Sequence, residues 1–332
     1  MNRDIPRCKT PKTTYTIDYP EIMYYCEQQT DIFWTHGEVD LEKDLHCIKT
    51  ELIVSENHGV LTTLTIFTTY ELIAGNEYWG GRFKEIFPRP EFQTMAAMFS
   101  AMELAVHARF YSKIDEMLGL NTDEFYSSFV KDETLSSRMD FIDNCINDKE
   151  DLFSVGVFSM VEGAILYSSF AFLKHFQSPA KNKLINLDAG ISFSVRDEAK
   201  HAEAGAACFR ILLREERELG RYLEDSEEWR DLSDRLYKAA ETIYEHEARI
   251  ADMIFEKGKI DGITDKQLKH FVEHRLDLCL QELELKPLYK PKYNPIKDWF
   301  YTSITGDAQH DFFAKQGNSY NRDWSENKLA WT

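Results

Sequence analysis

The sequence predicts an all-α protein, a bundle of long helices whose core carries charged side chains. Three observations predict it. Apolar residues recur at three- and four-residue spacing over long segments. Glycine and proline are sparse, and most prolines fall between those segments, at Pro88 and Pro90, Pro179, and then Pro287, Pro291 and Pro295. Carboxylates also stand inside otherwise apolar stretches, where burial is costly unless they are paired or metal-bound.

The elements follow in order. Leu61–Ala74 holds five threonines, which favour a strand, but no turn-bounded partner strand is evident and its neighbours are helical, so it reads as helix. Phe92–Leu118 carries Met95, Met98, Phe99, Met102, Val106 and Phe110 along its length. Leu152–Phe176, Leu187–Leu213 and Asp231–Lys257 are further long periodic segments. Long helices with short connections make a ferritin-like bundle the expected fold. Residues 1–30 read as an N-terminal arm, 31–300 as the helical domain, and 301–332 as a polar, aromatic tail without a clear period.

Composition narrows the function. A chain of 332 residues with 43% hydrophobic and 13% aromatic residues can bury a sizeable core. A formal net charge of −18 argues against nucleic acid or an anionic membrane as the main partner, since both attract clustered Lys and Arg. The six cysteines (Cys8, Cys26, Cys47, Cys145, Cys208, Cys279) show no Cys-x-x-Cys spacing, which fits reduced thiols in a cytoplasmic compartment. Met1–Tyr15 lacks the apolar stretch of a signal peptide, and no apolar run approaches the roughly 18 residues of a membrane span.

The sharpest motif is Arg196-Asp197-Glu198-Ala199-Lys200-His201. Glu198 and His201, three apart, lie about 60° apart on a helix and can share one metal ion. Di-metal carboxylate bundles need a second such pair and one acidic residue from each of two other helices. Glu162 stands in Phe158-Ser159-Met160-Val161-Glu162-Gly163-Ala164, and Glu71 follows Leu64-Thr65-Ile66-Phe67-Thr68-Thr69-Tyr70. Glu103 and His107 supply the second pair, so that Glu71 and Glu162 each precede a Glu/His helix by similar intervals. Six such ligands point to two metal ions per chain, and mostly carboxylate ligation suits iron or manganese better than zinc or copper. Tyr111 lies one turn beyond His107 on the same stripe.

Together these residues resemble the small subunit of class I ribonucleotide reductase. The resemblance runs from about Asp31 to Trp324 and rests on three segments: Phe33-Trp34-Thr35-His36-Gly37-Glu38-Val39-Asp40, His107-Ala108-Arg109-Phe110-Tyr111, and the Arg196–His201 string. It implies a homodimeric, radical-generating subunit, with iron first and manganese or mixed manganese and iron as alternatives, active only with a large catalytic subunit that reduces ribonucleotides. Tyr111 is then the radical tyrosine, in a pocket with Leu166, Phe170 and Ser194. Asp197, Trp34 and Tyr320 are radical-transfer residues, and the tail, with Trp324 and Trp331 as anchors, docks on the large subunit.

Three departures stand out. Most relatives have Asp where Glu71 stands, and apolar side chains where Ser194 stands. The family's first pair is Glu-x-x-His, yet three residues before His107 lies Leu104 and the Glu is four before, at Glu103. A spacing of four keeps the side chains about 40° apart, and an inserted residue can be absorbed as a π-bulge; otherwise the first half-site has lost a ligand. The rivals are a stand-alone di-metal oxidase of the same fold and a non-catalytic helical interaction protein.

Overall fold

A computed structural model describes residues 4–128, 131–178, 181–302 and 304. Among them there is no β-strand, only an isolated bridge between Ile260 and Ile263. In chain order the α-helices are α1 (Pro20–Asp31), α2 (Val54–Ile73), α3 (Phe83–Ile86), α4 (Pro90–Ala101), α5 (Ala108–Leu118), α6 (Asp123–Ser128), α7 (Glu133–Ile146), α8 (Asp151–Ala164), α9 (Tyr167–Lys174), α10 (Ile185–Glu218), α11 (Glu227–Ile254) and α12 (Asp265–Glu282). The helical bundle expected from the sequence is the fold found.

Local chemistry sets many of the boundaries. Pro90 opens α4 at a position where its missing N–H costs nothing. The Ser226 hydroxyl accepts from Trp229 N at the start of α11, and Thr264 with Gln267 forms a capping box on α12. The threonine-rich Leu61–Ala74 is helical, as packing against neighbouring helices overrides β-propensity.

Two helices carry an extra residue per turn. α2 runs into α3 through a π-helical segment, Ala74–Arg82, and α4 runs into α5 through another, Met102–His107. Phe92–Leu118 is thus one continuous helical rod with a widened turn inside it. Leu152–Phe176, read as one helix, is in fact broken: α8 ends at Ala164, Leu166 takes a left-handed conformation (φ 72°), and α9 begins at Tyr167. The break frees the Gly163 carbonyl from helical pairing, and the Arg275 Nε–H donates to it at 2.8 Å.

The helix α8 is the axis of the core. Every residue from Leu152 to Ala164 is buried, and the helix packs on α10, α11 and α12. Asp151–Gln177 is long and apolar enough by composition to span a membrane, contrary to the expectation from the sequence; its most apolar stretch is wholly buried inside the protein. α10 approaches its neighbours closely at glycines: a Cβ at Gly190 would collide with the Phe110 ring, and one at Gly205 would sit 3.2 Å from Ser159 Cβ. α1 packs on α4 and α10, and with the preceding loop it buries Cys8, Tyr19 and Ile22. All six cysteines are unbridged and buried.

Candidate metal centre

Four helical rods bring six buried side chains to one place: Glu71 from α2, Glu103 and His107 from the π segment between α4 and α5, Glu162 from α8, and Glu198 and His201 from α10. Their donor atoms form two overlapping clusters. Glu71, Glu103, His107 and Glu198 make one, Glu103, Glu162, Glu198 and His201 the other, and within each all donor atoms lie within 4.8 Å of one another. Glu103 and Glu198 belong to both, so each could serve either of two ions.

The distances are those of a closed donor box. His107 Nδ1 lies 2.9 Å from Glu103, 3.2 Å from Glu198 and 3.9 Å from Glu71 carboxylate oxygens. His201 Nδ1 lies 2.5 Å from Glu103, 3.7 Å from Glu162 and 3.8 Å from Glu198. All six residues are at most 1% exposed.

Such a cluster is costly without cations. Burial and the neighbouring Glu103 and Glu198 charges push the Glu71 carboxyl far above its ordinary range. Burial, Glu103 and Glu162 do the same to Glu198. Burial also opposes ionisation of Glu103, but its two histidines overcome that and hold it below the usual carboxylate range. Burial alone would lower the two imidazoles, yet the Glu103 charge raises both, His201 to about 10.

The donor set fits a pair of metal ions. Both oxygens of Glu71 and of Glu198, Glu162 Oε2 and His201 Nδ1 are buried without a hydrogen-bond partner, although native interiors leave few polar atoms unsatisfied. Four carboxylates balance the charge of two divalent cations and leave both histidines neutral as ligands. Oxygen-rich donors with two imidazoles suit iron or manganese.

Around the box stand residues that orient it. His107 Nε2 lies 3.0 Å from Asp197 Oδ2, and that oxygen also accepts the Trp34 Nε1–H at 2.7 Å. Gln29 donates to the other Asp197 oxygen at 3.0 Å. Trp79, in the first π segment, donates its Nε1–H to Glu162 Oε1 at 3.0 Å, and Phe99 lies with its ring centroid 4.2 Å from that of His201. Sequence reasoning reached Asp197 and Trp34 through the resemblance but missed Gln29 and Trp79. The clue to Trp79 was its place in Glu77-Tyr78-Trp79-Gly80-Gly81, two turns beyond Glu71.

Tyr111 is fully buried, its ring 4.5 Å from Phe67 and 5.2 Å from Phe110 between centroids. Phe170 packs behind Phe67 at 5.3 Å, and Leu166 and Ser194 are buried too. Burial, then the Glu71 charge, push the Tyr111 hydroxyl far above its ordinary range, against which Ser194 and His107 act. Neither the Tyr111 nor the Ser194 hydroxyl has a hydrogen-bond partner. Tyr320, Trp324 and Trp331 lie outside the described residues.

Comparison with known proteins agrees with this geometry. Residues 11–295 match the family described as "Ribonucleotide reductase, small chain". The chain is 26% identical over 315 residues to the ribonucleoside-diphosphate reductase subunit beta of Chlamydia pneumoniae, covering 90% of this chain and 86% of that one. Among solved structures, the dimanganese(II)-NrdF of Streptococcus sanguinis superposes with a TM-score of 0.70 at 21% identity, covering 86% of this chain and 98% of that one. The Rnr4 homodimer of Saccharomyces cerevisiae superposes with a TM-score of 0.71 at 16% identity, covering 87% and 88%. With the matched region spanning most of its length, the chain belongs to the family of ribonucleotide reductase small chains.

Proposed function

We propose that this chain, a small subunit of ribonucleoside-diphosphate reductase, stores an oxidising equivalent on Tyr111 and passes it along His107, Asp197 and Trp34. Glu71, Glu103, His107, Glu162, Glu198 and His201 would hold the two metal ions, iron or manganese. That metal pair, once bound and oxidised by dioxygen or a reduced oxygen species, would supply a one-electron oxidant beside the tyrosine. The observation that carries the reading is the unbroken buried chain from the box to Trp34: His107 to Asp197 at 3.0 Å and Trp34 to the same oxygen at 2.7 Å.

The chain's own residues do three things. Phe67 and Phe110, with Phe170 behind Phe67, keep water from the fully buried Tyr111, so an oxidised phenol is shielded from reductants. Oxidation of Tyr111 to a neutral radical releases its phenolic proton as well as an electron. Glu71 is the carboxylate whose charge bears most on that hydroxyl. Asp197 fixes the His107 ring through its Nε2 side, leaving Nδ1 toward the box, and shares its charge with the Trp34 N–H. Trp34 itself packs on Phe110 and Phe193, with centroids 5.5 and 5.3 Å away, and is 2% exposed.

In this reading residues 1–30 are the arm, 31–300 the metal-bearing body and 301–332 the tail that docks on a large catalytic subunit, with Tyr320 as its carrier and Trp324 and Trp331 as anchors. The body pairs with a second copy, and the protein works in the cytoplasm. The test is electron paramagnetic resonance of the metal-loaded, oxidised protein. Tyr111→Phe should keep about two metals per chain but lose the tyrosyl signal and all turnover with a large subunit. An unchanged tyrosyl signal in that variant would refute the assignment.

A further inference from the structure

The displaced carboxylate Glu103 has a structural cause on a neighbouring helix. In a regular helix the residue three before His107 would face the box, and that residue is Leu104. The π turn Met102–His107 changes this. The Ala108 N–H bonds back to the Glu103 carbonyl, five residues away, so the turn holds one residue more than an α-turn. Glu103 and His107 then both point into the box, 2.9 Å apart, and Leu104 is turned aside.

Leu104 lands on Gly75, the second residue of the other π segment. A Cβ built at Gly75 would lie 2.6 Å from Leu104 Cγ, 2.8 Å from Leu104 Cδ2 and 3.1 Å from Glu103 Cβ. The first two distances are closer than carbon atoms approach, and all three contacts belong to the widened turn. The Ser100 hydroxyl donates to the Gly75 carbonyl at 2.8 Å, pinning the two rods together one turn earlier and leaving Gly75 little freedom to retreat. Gly75 has negative φ, so it is not there to permit a left-handed backbone. What it contributes is space.

We infer that Gly75 is a positioning residue for Glu103: its missing side chain is the socket for Leu104, and that socket lets the π turn carry a carboxylate into the metal box at a four-residue spacing. The inference rests on the reading of Glu103 as a metal ligand. Any side chain at position 75 drives Leu104 back toward the α-helical register, and Glu103 moves with it out of reach of one or both half-sites. The requirement is steric and reciprocal, so shortening Leu104 should remove it.

The experiment compares wild type, Gly75→Ala, Leu104→Ala, the double variant Gly75→Ala/Leu104→Ala, and Glu103→Ala. Each is loaded anaerobically with Mn(II) alone, freed of excess metal, and measured for metal per chain and for the metal-dependent rise in Tm. Circular dichroism and the metal-free Tm report folding separately; a helical Gly→Ala exchange by itself favours the helix. Gly75→Ala should lower manganese affinity at least 10-fold while remaining folded. Leu104→Ala should load as wild type, and the double variant should recover affinity to within about threefold of it. Should Gly75→Ala not fold, the double variant decides: folding and loading restored by Leu104→Ala supports the socket, and failure of both overturns it. Full loading of Gly75→Ala, or no recovery in the double variant, also overturns the proposal. Glu103→Ala separates this from the underlying reading, because two metals bound in that variant would mean that Glu103 is no ligand.

Discussion

The two halves of the metal box carry the same donors and are built differently. On α10, Glu198 and His201 stand three residues apart in an uninterrupted 34-residue helix. On the other side, Glu103 and His107 stand four apart across a π turn that needs room made for it by a glycine on the next rod. Both arrangements end with an imidazole Nδ1 beside a shared carboxylate, at 2.9 Å for His107 and 2.5 Å for His201. The difference teaches that ligand spacing in sequence is meaningful only together with the hydrogen-bond register of the helix. A three-residue rule would have put Leu104 in the box. The halves also differ outside the box: the first is held from behind by Asp197, the second from the side by Trp79.

The largest effect should come from the residues that belong to both halves. Glu103→Ala and Glu198→Ala each remove a carboxylate common to both clusters, so metal content should fall from about two per chain to well below one. Glu71→Ala and Glu162→Ala each touch a single cluster and should leave about one ion. Elemental analysis after metal loading reads this directly. Metal-free Glu103→Ala should be less stable than wild type, because the carboxylate that pairs with both His107 and His201 is gone, and its metal-dependent rise in Tm should shrink as well. Equal stoichiometry in all four variants would dissolve the division into shared and single ligands.

A smaller effect should separate the two orienting groups. Asp197→Ala and Trp79→Phe each remove one hydrogen bond to a box residue, a change that typically costs 10- to 100-fold in metal affinity. Their consequences should part beyond binding. Asp197→Ala also disconnects Trp34, so it should abolish turnover with a large subunit even at saturating metal. Trp79→Phe should recover turnover once metal is raised. Recovery of both would leave the His107 side no special part in transfer.

These contrasts show how much could be read before the fold was known. The six box residues stood out because carboxylates and histidines occurred inside apolar helical segments, where chemistry demands a partner. The π turn could be named because the spacing was off by one. Trp79, Gln29 and Gly75 could not: each acts across helices, and nothing in its own segment says which side chain it will meet. The break at Leu166 was equally hidden, since Leu152–Phe176 contains no proline and its periodicity runs on; the Arg275 guanidinium that satisfies the freed Gly163 carbonyl comes from α12, far away in sequence.

A subtler contrast is between the walls of the Tyr111 pocket. Phe67, Phe110 and Phe170 make it apolar, but Ser194, on the second half-site's helix, brings in a buried hydroxyl that makes no hydrogen bond in this structure and acts on the tyrosine's own hydroxyl. Ser194→Ala should leave metal content unchanged and stability within about 1 kcal/mol of wild type. High-field resonance should show the largest g-value of the tyrosyl signal rising, as it does when a hydrogen bond to a phenoxyl oxygen is lost. No shift would mean that the serine hydroxyl turns to its own helix.

A last effect, on stability rather than on the metal centre, lies just beyond the box, one turn past Tyr111 on α5. Asp115 is buried, accepts from the Tyr126 hydroxyl at 3.1 Å, and has its other oxygen unpartnered. Burial raises its carboxyl to about 7, against which Tyr126 acts. The sign follows from which form each state prefers. The folded protein favours the neutral acid and the unfolded chain ionises near pH 4, so the stability contributed by Asp115 is complete below pH 4 and is lost as pH rises through 7. Asn is neutral at every pH and can still accept from Tyr126. Asp115→Asn in the metal-loaded protein should therefore match wild type at or below pH 4, draw ahead as pH rises from 4 to 7, and exceed it at pH 8 by about 3 kcal/mol after a discount for solvent screening. Comparing the metal-loaded forms keeps the box carboxylates committed to metal, so the difference reports Asp115 alone. Parallel stability curves from pH 5 to 8 would place an unseen partner on that carboxylate, and the helix of the first half-site would then be no less well compensated than α10.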